Sequence, residues 1–134
     1  MTENLARVLD LSLPTIEITK QLVEACSEAR ALDTTILDVK EVFDLADYFI
    51  VVSGHSDRQV QGITNRVLCA LEKLGVKPLS VEGFEEGHWV LIDTGDIVIH
   101  VFYEATRDHY DLESLWARAK KVHFDERNSA PRAA

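Results

Sequence analysis

The chain has 134 residues, 46% hydrophobic and 28% charged, which suits one globular domain and indicates neither wholesale disorder nor a fibrous fold. Its formal net charge of −9 leaves few cations to displace the counterions of a nucleic acid, so independent nucleic-acid binding is disfavoured and a basic protein partner is favoured. No apolar run approaches the roughly 20 residues that cross a bilayer, and the stretch MTENLARVLDLSLPTIEITK lacks the basic start and compact apolar block of a secretory signal. A cytoplasmic protein without membrane contact is expected.

Residues 1–13 read as a loose leader ahead of a domain over 14–120. From Thr15 the spacing of Ile18, Leu22, Cys26 and Ala29 predicts a helix, with Glu17 in its first turn. The run TTILDVKEVF is β-prone. Tyr48 to Val52 are five successive aromatic or branched apolar residues, the pattern of a strand buried on both faces, and Gly54 interrupts it. Ser56 and Gln59 then form a capping box. Beyond it Val60, Ile63, Val67, Leu71 and Leu74 line one helical face, with Gly75 at the expected left-handed cap. After Pro78 the period changes to two: LSVEG, WVLID and IVIHVFY read as strands, the last two joined by the turn Asp93-Thr94-Gly95-Asp96. A final helix is predicted from about Tyr110 to Ala117, followed by a mobile tail over 121–134. The expected architecture is α/β, a single mixed sheet flanked by helices in the order α-β-β-α-β-β-β-α.

Chemistry is harder to find. Cys26 and Cys69 are expected as small buried hydrophobes rather than a disulfide or redox pair. None of the five histidines has the i, i+4 partner of a helical metal site, and no cysteine lies close enough in sequence to complete a zinc motif. Ser53-Gly54-His55-Ser56 resembles a fragment of the glycine-serine motif of nucleotidyltransferases, but the closely spaced carboxylates that would hold two metal ions do not follow. No catalytic set, cofactor or metal site is expected. Trp89, Tyr110 and Trp116 suit a protein-binding patch, although the spacing of Trp116 after Leu112 favours a core position and leaves Trp89 open between core and interface. His100 alternates with Val98 and Phe102 and shares their face, as a hydrogen-bonded sheet residue or a surface contact.

Taken together, Asp47-Tyr48-Phe49, Ser53 to Gln59, Glu82-Gly83, Trp89 to Asp93, Gly95 to Phe102 and Arg107 to Trp116 resemble the ribosomal silencing factor (Iojap-related) family over residues 16–118. The resemblance implies a nucleotidyltransferase-like fold without catalytic acids and a non-enzymatic repressor of translation. Such a factor binds the large ribosomal subunit through ribosomal protein L-fourteen and sterically blocks the small subunit under starvation or in stationary phase. Members of such a family are often homodimers. Carried over by position, Trp89 and Tyr110 contact the partner, Asp93, Asp96 and Glu113 supply acidic complements, and His100 is a lesser candidate; Arg58 has no assigned role. Large-subunit assembly or maturation and a nucleotidyltransferase-like enzyme are the alternative readings.

Overall fold

In a computed structural model the described residues are 13–124 and 131–132. The expected leader, apart from Leu13, lies outside them, as does much of the expected tail. The chain runs α1 (Thr15–Glu28), β1 (Leu32–Asp38), β2 (Tyr48–Gly54), α2 (Asp57–Leu74), β3 (Ser80–Glu82), β4 (Trp89–Asp93), β5 (Ile97–Tyr103), α3 (Glu104–Tyr110) and α4 (Leu112–Leu115). Short strands β6 (Lys120–Lys121), β7 (His123–Phe124) and β8 (Pro131–Arg132) follow. Six strands form one mixed sheet, ordered β3-β4-β5-β2-β1-β6, while β7 and β8 pair separately. Within the six-stranded sheet β2–β5 is the parallel pair and the other neighbours are antiparallel. Pairing of Lys120 and Lys121 with Asp38 and Leu37 continues the sheet past residue 120.

Apolar alternation places the two cores. Strand β2 is buried along its whole length, as its unbroken apolar run predicts. Ile50 and Val52 turn to one face, where α1 and α2 cover them with Leu22, Cys26, Val60, Ile63, Val67 and Leu71. Phe49 and Val51 turn to the other, against Phe102, Leu112, Trp116 and the segment holding Val39 and Phe43. Trp116 is partly buried and meets Phe43 and Phe49 edge-on, with ring centroids 5.2 Å apart in each case. Burial pushes the Cys26 thiol up to about 12, which leaves it a packing residue, whereas Cys69 is exposed on α2, contrary to expectation.

The predicted cap is present, with its return bond shifted by one residue to His55. Ser56 Oγ accepts from the Gln59 amide at 3.1 Å, and Gln59 Oε1 accepts from the His55 amide at 2.6 Å. Gly75 closes α2 in the left-handed region with φ 74°.

Two local readings need correction. The run TTILDVKEVF is strand only to Asp38, and Val39 to Phe43 fold back in a turn. The last helix is two pieces: Glu104–Tyr110, then Leu112–Leu115, broken at Asp111 with φ 48°. Tyr110 therefore ends a helix rather than opening one. Replacing Ser56 with Ala removes the cap acceptor and is expected to cost about 1 kcal/mol, read as a lower urea midpoint at unchanged slope.

Candidate docking site

Strand β4 presents Trp89, Leu91 and Asp93 to the sheet face opposite α1 and α2. Trp89 pairs in register with Phe102 on β5, and their rings stack at 4.9 Å. The end of α3 brings Tyr110 to 4.8 Å from the Trp89 ring, and Tyr110 remains 51% exposed. The loop entering β4 depends on Gly83 and Gly87. Both have positive φ (84° and 70°), and a side chain would strike the Trp89 carbonyl at Gly83 or the Asp57 backbone at Gly87. The result is an open groove of about 520 Å³, lined by Gly83, Glu86, His88, Trp89, Tyr103 and Tyr110 among others. Past His88 and Tyr103 it runs into a second hollow of about 320 Å³ beside His55, Ser56 and Asp57, where α2 begins.

Arg107 fixes this end of the molecule. Its side chain is buried beneath α3, and its Nη1 donates to the Asp33 carbonyl at 2.6 Å and to Ser53 Oγ at 2.9 Å. Nη2 donates to Thr35 Oγ1 at 3.1 Å and to Glu113 Oε2 at 2.6 Å, and Nε donates to Glu113 Oε1 at 3.3 Å. The Asp33 carbonyl is available because Asp33 lies in a register shift of β1 with φ 51°, which turns it out of the ladder. The Arg107 hydrogen bonds hold the Glu113 carboxyl below its usual range against the opposing effect of partial burial.

The six expected contact residues separate into groups. Trp89, His100 and Tyr110 come together. His100 is 4% exposed and sits behind Trp89, whose Nε1 donates to His100 Nδ1 at 3.2 Å, so the buried sheet position, rather than a surface contact, is what the fold provides. Glu113 is already engaged by Arg107 rather than free to complement a basic partner. Asp93 and Asp96 lie at the far end of the β4–β5 hairpin, about 13 Å from Trp89 by strand rise. There Asp93 Oδ1 accepts from the Gly95 amide at 2.8 Å, and the Asp96 carbonyl accepts from the Asp47 and Tyr48 amides.

Sequence reasoning passed over Glu86, His88 and Tyr103, which share the groove, and Arg107, which braces it. Their positions in a polar loop, at a strand end and in an apolar-poor helix carry no periodic signal. In the Ser53–Ser56 turn three polar groups are occupied internally: Ser53 Oγ by Arg107, Ser56 Oγ by α2, and the His55 amide by Gln59.

An open mixed sheet covered by helices, with an aromatic groove where its central parallel strands end, defines an α/β domain that presents a recessed surface. The family described as "Ribosomal silencing factor during starvation" matches residues 12–134, and the chain belongs to it. It is 40% identical to the Ribosomal silencing factor RsfS of Bacillus subtilis over 108 residues, 81% of this chain and 92% of that one. A Chromobacterium violaceum crystal structure, 40% identical, superposes with a TM-score of 0.77 over 78% of this chain and 88% of its own. More distantly, the mouse protein named Mitochondrial assembly of ribosomal large subunit protein 1 is 29% identical over 71% of this chain and 43% of its own. The family and the mixed α/β fold are those expected from sequence.

Two predictions follow from the buried polar groups. Burial pushes His100 down from 6.5 to about 4. Between those values the unfolded chain binds a proton that the native chain does not, so stability falls as pH drops through the window, by about 3 kcal/mol when complete. The stability contributed by depressed Glu113 is present above 4.5 and is lost as pH falls through its lower native value. Urea unfolding from pH 7 to 4 should show the first loss, and His100→Phe should flatten it; an undiminished slope in that variant would place its origin elsewhere. Arg107→Ala strands Glu113, Ser53 and Thr35, and is expected to lower unfolding free energy by about 3 kcal/mol, measured by the same titration at pH 7.

Proposed function

We propose that the chain is a soluble cytoplasmic repressor of translation that docks on the large ribosomal subunit. It binds through ribosomal protein L-fourteen and keeps the small subunit from joining during starvation or stationary phase. The observation that carries this reading is the pair Trp89 and Tyr110, two aromatics in contact at the mouth of a groove, one of them half exposed in a strongly acidic chain. Large aromatics in such positions concentrate interface energy. The net charge of −9, with Glu86 in the groove wall and Asp93 and Asp96 farther along, favours a basic partner surface. Steric occlusion needs no chemistry from the chain, and internal use of the Ser53–Ser56 polar groups supports a non-enzymatic role. Large-subunit assembly is the second reading, favoured by the name of the mouse relative. Both readings begin with the same docking step.

Co-sedimentation with isolated large subunits, followed by addition of small subunits, tests the proposal. Binding that suppresses joined ribosomes supports silencing; binding without suppression favours assembly; no binding at low or physiological salt overturns both. Tyr110→Ala, at an exposed position, is expected to fold normally and weaken binding by roughly 30- to 1000-fold, as is Trp89→Ala if circular dichroism confirms its fold. Sedimentation velocity of the free protein tests the accompanying proposal of a homodimer.

A further inference from the structure

His100 occupies a position that an apolar residue would fill at less cost. It lies in the middle of β5, 4% exposed, with the Phe49 ring at 5.1 Å and the Phe102 ring at 6.3 Å. Across the strands its register partners are Leu91 and Val51. The Trp89 indole nitrogen can only donate, so His100 Nδ1 is the acceptor of their 3.2 Å hydrogen bond and must carry no proton. The neutral ring then carries its proton on Nε2, which is buried without a hydrogen-bond partner among the described residues. The polar contact that His100 does make is therefore the one to Trp89.

That contact has a directional consequence. Stacking on Phe102 and packing against Tyr110 set the plane of the indole, while the torsion that turns the ring has two broad wells about half a turn apart. The hydrogen bond selects one of those two orientations, because only one directs Nε1 at His100.

We propose that His100 is a positioning residue for docking: by accepting the Trp89 indole N–H it holds that ring in the orientation that forms the groove wall beside Tyr110. The role rests on the docking function proposed above, and it moves His100 from direct contact to support from behind. A pre-set aromatic anchor loses less freedom on binding than a mobile one, so the bond contributes to affinity without touching the partner.

The test uses the full chain, isolated large ribosomal subunits and four variants: H100F, H100N, W89F and H100F/W89F. Phe keeps the ring and removes the acceptor, whereas Asn returns an acceptor near the Nδ1 position. H100F is expected to bind about 3- to 10-fold more weakly, the effect of one lost hydrogen bond, with H100N restoring most of the loss. Because W89F has no indole N–H, adding H100F to it should cause little further loss. A purely structural His100 would predict additive losses and no rescue by Asn. In the free chain the Trp89 indole N–H resonance, identified by its absence in W89F, should move in H100F and stay near its wild-type position in H100N. Wild-type affinity in H100F, or additive losses in the double variant, would overturn the proposal. If the wild-type chain fails to bind large subunits, the docking function falls, and the resonance still decides the contact: an unmoved signal in H100F overturns it.

Discussion

The guanidinium of Arg107 is the group around which one end of this molecule is organised. It joins a carbonyl and a hydroxyl of β1, a hydroxyl of β2 and the carboxylate of α4 in one cluster around a buried guanidinium. Burying such a group is costly unless its donors are matched, and here Nε, Nη1 and Nη2 all find acceptors. The match requires two departures from regular backbone, a left-handed residue at Asp33 and another at Asp111. Aspartate tolerates that conformation better than most side chains. These departures belong to the groove as much as to the fold, because the break at Asp111 ends α3 where Tyr110 meets Trp89.

The aromatic wall stands on this base in layers. Phe102 is fully buried, Trp89 stacks on it partly buried, and Tyr110 lies outermost. Each ring shields the one behind it from water, so the apolar surface finally offered is small and shaped. Gly83 and Gly87 let the preceding loop press close to Trp89 and to the start of α2, which keeps the groove a recess instead of a flat face.

Much of the sheet was legible in the sequence because its signal is local. Five apolar residues in succession marked β2, period-two alternation marked β4 and β5, and Ser56 with Gln59 marked the start of α2. Helix α3 was not legible: EATRDHY has no apolar stripe, and the residue it buries is Arg107. For the same reason Glu113 read as a free acid, since nothing in spacing alone reveals a buried cation that closes on it only when the helix breaks at Asp111. Trp89 and Tyr110 could be singled out by type, but their contact depends on the end of β5 turning directly into α3. His100 was assigned to the correct face by alternation, while its hydrogen bond to a side chain on the neighbouring strand was a matter of register that only the folded sheet settles.

The parallel pairing of β2 with β5 has a consequence for the order of folding. Tyr48 meets Ile97 only after α2 and the β3–β4 hairpin have been laid down between them, whereas β1–β2 and β4–β5 are joined by much shorter connections. Closing a long loop carries a larger entropy cost than closing a short one, so the two hairpins can form early and their union comes late. Ser53 lies on one hairpin, Trp89 on the other, and Arg107 clasps the first while its helix delivers Tyr110 to the second. The groove is walled by residues 83–110 alone, but the helix that carries Tyr110 is braced through Arg107 on the first hairpin, so that brace is complete only when the central strands join. Under the docking function proposed above, recognition at this site amounts to a reading of completed topology.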